Sequence, residues 1–358
     1  MSDVLLSICI PTFNRAQIVY ECVKDCLSYQ TEQIEVVVND NCSTDDTCKL
    51  LSEIKDERFH YYCNDTNIGY SNLVVALTKG HGKYCLLLSD EDAIVNVDWE
   101  KVFSQLRYEN ETAVFQSKYC DENGKVLVEG PERRFKKNQY DTYWYTRLKF
   151  GFAGALIVKR EIAEKVWNEI NKDSFMWRLY PHVILPIYCV REGDCQLLKN
   201  FEVHRTERNN TGLLDTKAWI GGVESEPYWS LISRKKQSFE WIAIFSALNI
   251  DEDCKCKLLY SSGVEHLRQL IGYWDILNDS QLLNTPLFLK RQDIVERDKK
   301  IRKREWIKLF FEHGRDMEAC VKKELSKVKI ALGIRIRYRL QLVWQFMRLI
   351  RHLTRKGK

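Results

Sequence analysis

The sequence lacks several features that would place it outside the globular class. It contains only six prolines in 358 residues and no low-complexity run, which excludes collagen-like, mucin-like and extensively disordered chains. No stretch approaches the ~20 consecutive apolar residues that a membrane-spanning helix needs. The apolar run at residues 4–10 has no basic leader, so we expect no signal peptide. Apolar residues make up 45% and charged residues 29% of the chain, an ordinary composition for about two domains.

Cysteine pairing is not expected, although the chain has 13 cysteines. The number is odd, and Cys9 and Cys85 lie inside apolar runs that resemble strands. Cys254 and Cys256 have no second pair at the spacing of a zinc site. We therefore interpret all the cysteines as reduced, which predicts a cytoplasmic compartment.

Short apolar runs alternate with helical periodicity over the first 90 residues. This alternation predicts βαβ units and an α/β fold, with a mostly parallel, Rossmann-like sheet flanked by helices. The predicted strands are 5–10, 34–38, 59–62 and 84–88, and the predicted helices are 15–29 and 71–79.

Four polar clusters follow these four strands, at 12–14, 40–45, 67–69 and 90–92. Ligands of parallel α/β sheets bind at the carboxyl ends of the strands, so we expect all four clusters to meet at one edge. The last cluster holds three adjacent carboxylates, which repel one another unless a cation binds. Mg²⁺ and Mn²⁺ use one or two carboxylates together with phosphate oxygens, so this edge predicts a site for a metal and a nucleoside diphosphate. Solvated acidic loops are the alternative.

The rest of the chain divides into a mixed part and a helical part. Residues 112–160 predict two or three further strands with a hairpin near 122–124, and residues 201–222 predict a long loop. Helices are predicted at 161–171 and 175–190, and from about residue 236 the pattern is almost wholly helical. We therefore expect one domain over 1–235 and a helical extension over 236–358.

Taken together, the four clusters resemble the family 2 glycosyltransferases of GT-A fold. The motifs are ICIPTFNR at 8–15, VNDNCSTD at 38–45, NIG at 67–69 followed by Asn72, and LSDED at 88–92. Residues 150–215 are more loosely similar to the O-antigen and capsule sugar transferases of that family.

The resemblance implies an inverting, metal-dependent transfer of a sugar from a nucleotide-sugar donor, with Mn²⁺ or Mg²⁺ as the cofactor. By position, it implies a nucleotide pocket at Pro11, Thr12 and Asn14, a base or ribose contact at Asp40, and a nucleoside contact at Asn67 and Gly69. It places Asp90 near the ribose or sugar and on the metal, with Asp92 as the main metal ligand. Purely structural roles remain open: Asn14 as a helix cap, Asp40 in an Asx-turn and Gly69 at a positive φ.

The catalytic base is where the sequence departs from the family. The family places an acidic pair in the region that here reads DSFMWRLYPH, residues 173–182. His182 is the candidate replacement, because an imidazole titrates near neutrality, and Asp173 is the second candidate. A core role for His182 is the alternative. The segment Phe152-Ala153-Gly154-Ala155 is expected to make a close backbone approach beside the acceptor, with a plain strand start as the alternative.

The loop at 204–210 is basic and stands where the family has a lid. Arg205 or Arg208 is a candidate for neutralising the leaving diphosphate, because guanidinium groups bind phosphate oxygens in pairs. Paired surface charges in an exposed loop are the alternative.

Charge in the chain is concentrated at one end. Residues 321–358 carry a net charge of +11, whereas the first 320 residues carry −6. Apolar residues recur at helical spacing between 325 and 350, so the tail resembles an interfacial helix that binds an anionic membrane. Packing on the catalytic domain, or on a second subunit to give a homo-oligomer, is the alternative. No nucleic acid is expected as a partner, because no recognised binding motif accompanies the basic residues.

These observations predict a glycosyltransferase of surface polysaccharide synthesis that acts on a lipid-linked glycan acceptor. Its expected location is the cytoplasm, at the inner face of the cell membrane. A non-catalytic nucleotide-sugar-binding or scaffold protein of the same fold is the alternative, because the acidic pair is missing.

Overall fold

The computed structural model describes residues 4–149, 154–206, 230–284 and 292–326, together with seven helical positions between 336 and 351. The chain forms two compact units, residues 1–222 and 223–358. The domain boundary predicted at residue 235 lies within a helix of the second unit, Leu231–Ala247.

The first unit is built on a nine-stranded sheet. Its strands are β1 (Leu6–Thr12), β2 (Ile34–Asp40), β3 (Phe59–Cys63), β4 (Tyr84–Leu87), β5 (Asp92–Val95), β6 (Thr112–Cys120), β7 (Val126–Val128), β8 (Leu156–Lys159) and β9 (Asp194–Arg205). Their spatial order is β3-β2-β1-β4-β8-β6-β9-β5, with β7 paired to β6. The first four strands are parallel, as predicted, whereas β8 runs antiparallel to both β4 and β6, and β5 runs antiparallel to β9.

Eight helices connect these strands. They are α1 (Ala16–Leu27), α2 (Thr47–Leu51), α3 (Ser71–Leu77), α4 (Trp99–Tyr108), α5 (Tyr140–Lys149), α6 (Arg160–Trp167), α7 (Phe175–Leu179) and α8 (Pro181–Glu192). Every residue of β1 and β2 is buried, which explains why the central strands are continuous apolar runs rather than alternating ones.

A crevice opens where β1 separates from β4. The two strands are paired only from Leu6 to Cys9 of β1, whereas pairing with β2 continues to Thr12. Pro11 therefore lies beyond the ladder with β4, where its missing N–H costs no hydrogen bond to that strand. Since β2 and β4 flank β1 on opposite sides, this is the switch point at which open α/β sheets bind ligands.

The structure corrects several sequence predictions in the first unit. The helix predicted at 175–190 is two helices that break at Tyr180, because the residue before a proline disfavours the helical conformation. The loop predicted at 201–222 is wrong at its start, since residues 201–205 complete β9; residues 207–222 lie outside the described residues. The short strand β5 and the helix α5 were not predicted. The predicted hairpin at 122–124 is confirmed between β6 and β7.

The second unit is helical in all its described segments, as predicted. Its helices are α9 (Leu231–Ala247), α10 (Glu252–Leu277), α11 (Ser280–Leu283), α12 (Gln292–Lys299) and α13 (Lys303–Ser326). Leu267, Tyr273, Trp306 and Phe310 form the centre of its core. No helix among the described residues combines the length and apolar character needed to cross a bilayer.

Candidate active site

All four polar clusters reach one cavity in the crevice beside β1, as predicted. Thr12, Asn41, Gly69 and Asp90 each contribute to its wall, one from each cluster. The remaining lining residues are Pro11, Phe13, Arg15, Tyr70, Asn72, Leu73 and Ser89. The parallel strands therefore deliver chemically different loops to the same place, as their common direction requires.

Asp90 is held in the wall of the cavity by two partners. Thr12 Oγ1 donates to its Oδ2 at 2.8 Å, and Arg15 Nη1 donates to its Oδ1 at 2.9 Å. The same Arg15 nitrogen donates to Glu91 Oε2 at 3.0 Å. Burial raises the pKa of Asp90, while Arg15 and Thr12 act in the opposite direction. This role of Arg15, a residue of the first motif, was not predicted from the sequence.

Asp92 is fully buried and only partly satisfied. It begins β5, and its Oδ1 accepts a hydrogen bond from the Tyr119 hydroxyl at 3.2 Å. Its Oδ2 has no hydrogen-bond partner among the described residues. Burial raises the pKa of Asp92 well above its usual range and the charge of Glu91 adds to this, whereas Tyr119 and Arg205 oppose it.

Gly154 makes the close approach that was predicted for it, but its neighbours are parts of the site itself. A Cβ at this position would lie 2.6 Å from the Tyr119 ring and 2.8 Å from Asp92 Oδ2. Ala155, the next residue, has a φ of +65°, which is strained for an alanine. The segment that precedes β8 thus lies in close contact with Asp92. Phe152 and Ala153 lie outside the described residues.

A divalent cation fits Asp92 better than Asp90. Both oxygens of Asp90 already accept hydrogen bonds, whereas Asp92 Oδ2 is a buried oxygen without a donor. A single carboxylate is enough to hold Mg²⁺ or Mn²⁺ when phosphate oxygens and water complete the shell. Within the described part of the chain, the triplet at 90–92 is not one of the groups whose ligand atoms lie within 4.8 Å of one another.

Asp40 is saturated by hydrogen bonds from its own neighbourhood. Its Oδ1 accepts from the backbone N–H of Ser43 at 3.0 Å and from the Ser43 hydroxyl, and its Oδ2 accepts from the Tyr61 hydroxyl at 2.8 Å. Asp40 is 1% exposed. It therefore shapes the turn that presents Asn41 to the cavity, and its predicted contact with the base or ribose stays a prediction.

Amide side chains connect the loops that follow β2 and β3. Asn41 Nδ2 donates to Asn67 Oδ1 at 2.9 Å, and Asn41 Oδ1 accepts from the backbone N–H of Ile68 at 2.9 Å. Asn67 Oδ1 also accepts from the Gly69 N–H, and Gly69 has a φ of +61°. Asn72 Nδ2 donates to the Asn39 carbonyl at 2.9 Å. The turn predicted at 67–69 is confirmed and is fixed by its own hydrogen bonds, and the nucleoside contact predicted for Asn67 and Gly69 stays a prediction.

Asn14 fastens two loops together rather than capping a helix. Its Oδ1 accepts from the Thr44 N–H at 2.8 Å, and its own N–H donates to Ser43 Oγ at 2.7 Å. The cap alternative for Asn14 is wrong, because the N-terminal N–H of α1, on Ala16, donates to Asp45 Oδ2 instead.

The two candidate bases occupy different environments. His182 is the second residue of α8 and is 6% exposed, with its ring 6.3 Å from that of Tyr180. Asp173 is exposed and precedes α7. The segment is joined to the cavity wall, because Trp177 Nε1 donates to Ser71 Oγ at 2.9 Å, at the start of α3.

Of the two candidate arginines, Arg205 lies beside the acidic triplet and Arg208 lies outside the described residues. Arg205 is the last residue of β9 and is the cross-strand partner of Asp92. It also forms a hydrogen bond with Tyr119. Arg205 therefore places positive charge next to the buried carboxylate, which periodicity could not reveal because β5 and β9 were not predicted as strands.

Comparison with known proteins agrees with this geometry. The family model described as Glycosyl transferase family 2 matches residues 7–167, which contain all four motifs. The resemblance drawn from the motifs is therefore confirmed over these residues.

The relatives with a described activity share about a quarter of their aligned residues with this chain. The chain is 25% identical over 219 residues to the abequosyltransferase RfbV of Salmonella typhimurium, covering 54% of this chain and 63% of the relative. It is 26% identical over 217 residues to a GalNAc(5)-diNAcBac-PP-undecaprenol beta-1,3-glucosyltransferase of Campylobacter jejuni, covering 58% of this chain and 66% of the relative. These matches therefore span less than two thirds of either relative.

Among solved structures, the S. aureus TarS crystal structure in complex with UDP-GlcNAc superimposes with a TM-score of 0.57. The likeness covers 94% of this chain and 92% of that chain at 14% identity. It confirms the predicted fold class, an α/β GT-A fold with C-terminal helices.

Proposed function

We propose that the protein is an inverting glycosyltransferase that moves a sugar from a nucleotide-sugar donor to a hydroxyl of a glycan acceptor. One observation carries the proposal: four loops from four parallel strands line a single cavity, and Asp90 belongs to its wall. The family match and the sugar transferases among the relatives support it.

The donor is proposed to lie against the cavity wall. Pro11, Thr12 and Gly69 offer backbone and small side-chain surface for a nucleoside. The amide of Asn41 fixes the wall beside them, because its polar atoms are hydrogen-bonded within the loops. Asp40 and Asn14 act one layer back, because their polar atoms already hold the loops in place. Arg15 opposes the rise that burial causes in the pKa of Asp90 and fixes its carboxyl group, which gives the sugar or ribose a rigid hydrogen-bonding partner.

A divalent cation, Mn²⁺ or Mg²⁺, is proposed to bind at Asp92 Oδ2, and when bound it would neutralise the diphosphate of the donor. Asp90 is the weaker candidate ligand because Thr12 and Arg15 occupy its oxygens. Arg205 stands next to Asp92 and is proposed to share in neutralising the leaving diphosphate, together with Arg208.

In the transfer step, an acceptor hydroxyl oxygen bonds to the anomeric carbon while the bond from that carbon to the diphosphate oxygen breaks. The hydroxyl proton passes to a base. We assign this role to His182, with Asp173 as the second candidate. His182→Ala should then lower transfer by a few orders of magnitude and leave nucleotide affinity similar, whereas normal transfer in that variant would move the base elsewhere.

The acceptor is proposed to be a lipid-linked glycan of surface polysaccharide synthesis, as the name of the Campylobacter jejuni relative describes for its own substrate. The protein would then work at the inner face of the cell membrane. The described tail positions are exposed and mostly apolar, and they recur at helical spacing: Ile336, Leu340, Val343, Trp344 and Met347. Such a face suits the boundary between headgroups and acyl chains.

Flotation with anionic liposomes tests the tail. Leu340→Glu with Trp344→Glu should abolish flotation, and equal flotation of variant and parent would reject the membrane role. The introduction of negative charge at these exposed positions is preferable to truncation at 321, since Val321 and Leu325 of α13 are buried.

Donor turnover tests the central proposal. The full chain is incubated with a panel of nucleotide sugars and Mn²⁺, and the release of nucleoside diphosphate and the melting temperature are followed. We expect one donor to be hydrolysed slowly and to raise the melting temperature only with metal, since a ligand that binds only the native state stabilises it. Binding without hydrolysis or transfer would favour a non-catalytic nucleotide-sugar-binding protein, which the missing acidic pair at 173–182 also suggests.

A further inference from the structure

A second group of polar side chains lies at the opposite end of the parallel strands from the cavity. Glu35 is the second residue of β2, His60 is the second residue of β3, and His81 precedes β4. Glu35 Oε2 lies 3.3 Å from His60 Nε2 and 3.1 Å from His81 Nδ1. One ligand atom from each of the three residues lies within 4.8 Å of the other two.

We propose that Glu35, His60 and His81 form a binding site for a zinc-like divalent ion that ties β2, β3 and the segment before β4 together. Two imidazoles and a carboxylate are a ligand set that zinc uses, whereas magnesium prefers oxygen ligands alone. A tetrahedral ion with ligand distances of about 2.0–2.1 Å separates its ligand atoms by roughly 3.3–3.4 Å. The measured distances from the carboxylate oxygen to the two imidazoles are close to this separation.

The carboxylate is held in the orientation that such a site needs. Glu35 is 2% exposed, and its other oxygen, Oε1, accepts hydrogen bonds from the Ser7 hydroxyl, the His81 N–H at 2.6 Å and the Gly82 N–H at 3.3 Å. These donors occupy Oε1 and leave Oε2 facing the imidazoles. Partners of this kind around a ligating group fix its geometry and raise metal affinity.

The loop that carries His81 is also built for this contact. A Cβ on Gly80 would lie 2.7 Å from Ser7 Cβ, and one on Gly82 would lie 2.9 Å from the Ser7 backbone nitrogen. Larger residues on either side of His81 would therefore push the loop away from β1 and Glu35. The close approach requires both glycines.

The site is accessible from solvent. The His60 and His81 side chains are 37% and 59% exposed, so an ion has a path to the buried oxygen. Three protein ligands leave one tetrahedral position for water. The imidazoles must be neutral to bind a metal ion.

A second group, Cys120, Glu202 and His204, meets the same distance criterion but suits a cation less well. Lys118 Nζ already lies 3.3 Å from Glu202 Oε1, and Asn96 Nδ2 donates to Glu202 Oε2 at 2.8 Å. A metal ion there would compete with a fixed positive charge. This group serves as an internal control.

Cobalt titration of the full chain tests the proposal. Added Co²⁺ should give the visible d–d bands of a four- or five-coordinate site, without the near-ultraviolet charge-transfer band of a thiolate ligand, and Zn²⁺ should displace it. Saturating Zn²⁺ should raise the melting temperature by roughly 5 °C. His81→Gln and His60→Gln should each weaken binding at least tenfold, the effect expected for the loss of a ligand.

Two matched variants locate the ion. His204→Gln removes an imidazole from the other group, and Asp92→Asn removes the metal ligand proposed for the transfer reaction; both should keep the cobalt spectrum. A thiolate charge-transfer band, a spectrum unchanged in His81→Gln and His60→Gln, or no visible spectrum at all would each overturn the proposal. Asp92→Asn distinguishes the metal site proposed for transfer from the site at Glu35, His60 and His81. A negative result for the second site would therefore not contradict the proposed transfer activity.

Discussion

Two buried carboxylates, at opposite ends of the same sheet, differ in how completely the fold satisfies them. Glu35 accepts hydrogen bonds at one oxygen from Ser7, His81 and Gly82 and faces two imidazoles with the other. Asp92 accepts one hydrogen bond, from Tyr119, and its second oxygen has no hydrogen-bond partner among the described residues. The two side chains are almost equally hidden from solvent.

The pKa values of the two groups move in opposite directions for this reason. Burial pushes the pKa of both upward, but the hydrogen bonds from Ser7 and His81 outweigh it at Glu35, and the pKa of that carboxyl is lowered. At Asp92 the hydrogen bond from Tyr119 and the charge of Arg205 do not outweigh burial and the neighbouring carboxylates, and the pKa is raised well above its usual range. A buried carboxylate with an oxygen that accepts no hydrogen bond lowers the stability of the fold. The presence of such a group at Asp92 therefore points to a ligand outside the chain.

The largest expected effect comes from removing the carboxylate charge of Asp92. Asp92→Asn should lower metal-dependent transfer by at least ~10³-fold, since charge stabilisation of the leaving group is the main task of such a site. The free energy of unfolding should stay equal or rise, because the variant no longer buries an unpaired charge. Transfer rates and chemical denaturation, measured on the same preparation, check both parts.

Glu100→Gln is the matched control for that variant. It removes one carboxylate from the exposed side of α4 and should change neither quantity. Normal transfer by Asp92→Asn, or a marked loss of stability in that variant, would contradict the difference between Asp92 and Glu35. It would show that Asp92 does not need a ligand from outside the chain.

Gly154→Ala should act on the same site with a smaller effect. The added Cβ meets the Tyr119 ring and Asp92 Oδ2 at distances below 3 Å, so one of them must move. A displacement of about 1 Å in a catalytic site costs on the order of 10²-fold in rate. We expect that loss in kcat with the fold retained, followed by steady-state kinetics and circular dichroism; an unchanged kcat would mean that Asp92 tolerates displacement.

At the other carboxylate the effect should fall on stability. Glu35→Gln keeps an oxygen for the Ser7 and His81 donors but presents an amide to the imidazoles. The expected loss is about 1–2 kcal/mol in the free energy of unfolding, the range for a disturbed buried hydrogen-bond group. Urea denaturation in the presence of a chelator measures it without interference from bound metal, and an undiminished midpoint would contradict the comparison.

The sequence predicted the position of the candidate site better than it predicted which polar atoms of the site are left for a ligand. Alternating strands and helices were enough to place residues 12, 41, 69 and 90 at one edge, because the direction of parallel strands determines it. The partners of the carboxylates were not predictable in this way. Arg15 reaches Asp90 across 75 positions of sequence, and no local pattern encodes a contact of that range.

The missed elements have a similar cause. β5 has four residues and pairs with β9, more than one hundred positions later, so neither strand has a local signal strong enough to separate it from a loop. Tyr119 and Gly154 take part in the site only because that pairing forms. The break at Tyr180, by contrast, was readable from Pro181 alone.

The smallest expected effect extends the comparison to the second unit, where the buried titratable groups are imidazoles. Ser238 Oγ lies 2.8 Å from His266 Nδ1, and His266 Nε2 lies 3.1 Å from His313 Nδ1. Burial, and then the charge of Lys235, lower the pKa of His313 to about 4, while Asp316 and Glu312 oppose the shift.

Because the folded pKa of His313 lies below the unfolded value near 6.5, the unfolded chain takes up the proton first. Stability from this site is therefore complete above about pH 6.5 and is lost progressively as the pH falls towards 4. The loss between pH 7 and pH 5.5 should be about 1 kcal/mol, seen as a lower melting temperature in calorimetry. His313→Asn supplies an uncharged acceptor or donor in the same place and should flatten this dependence; a parallel pH dependence in the variant would mean that His313 is not held neutral by the fold.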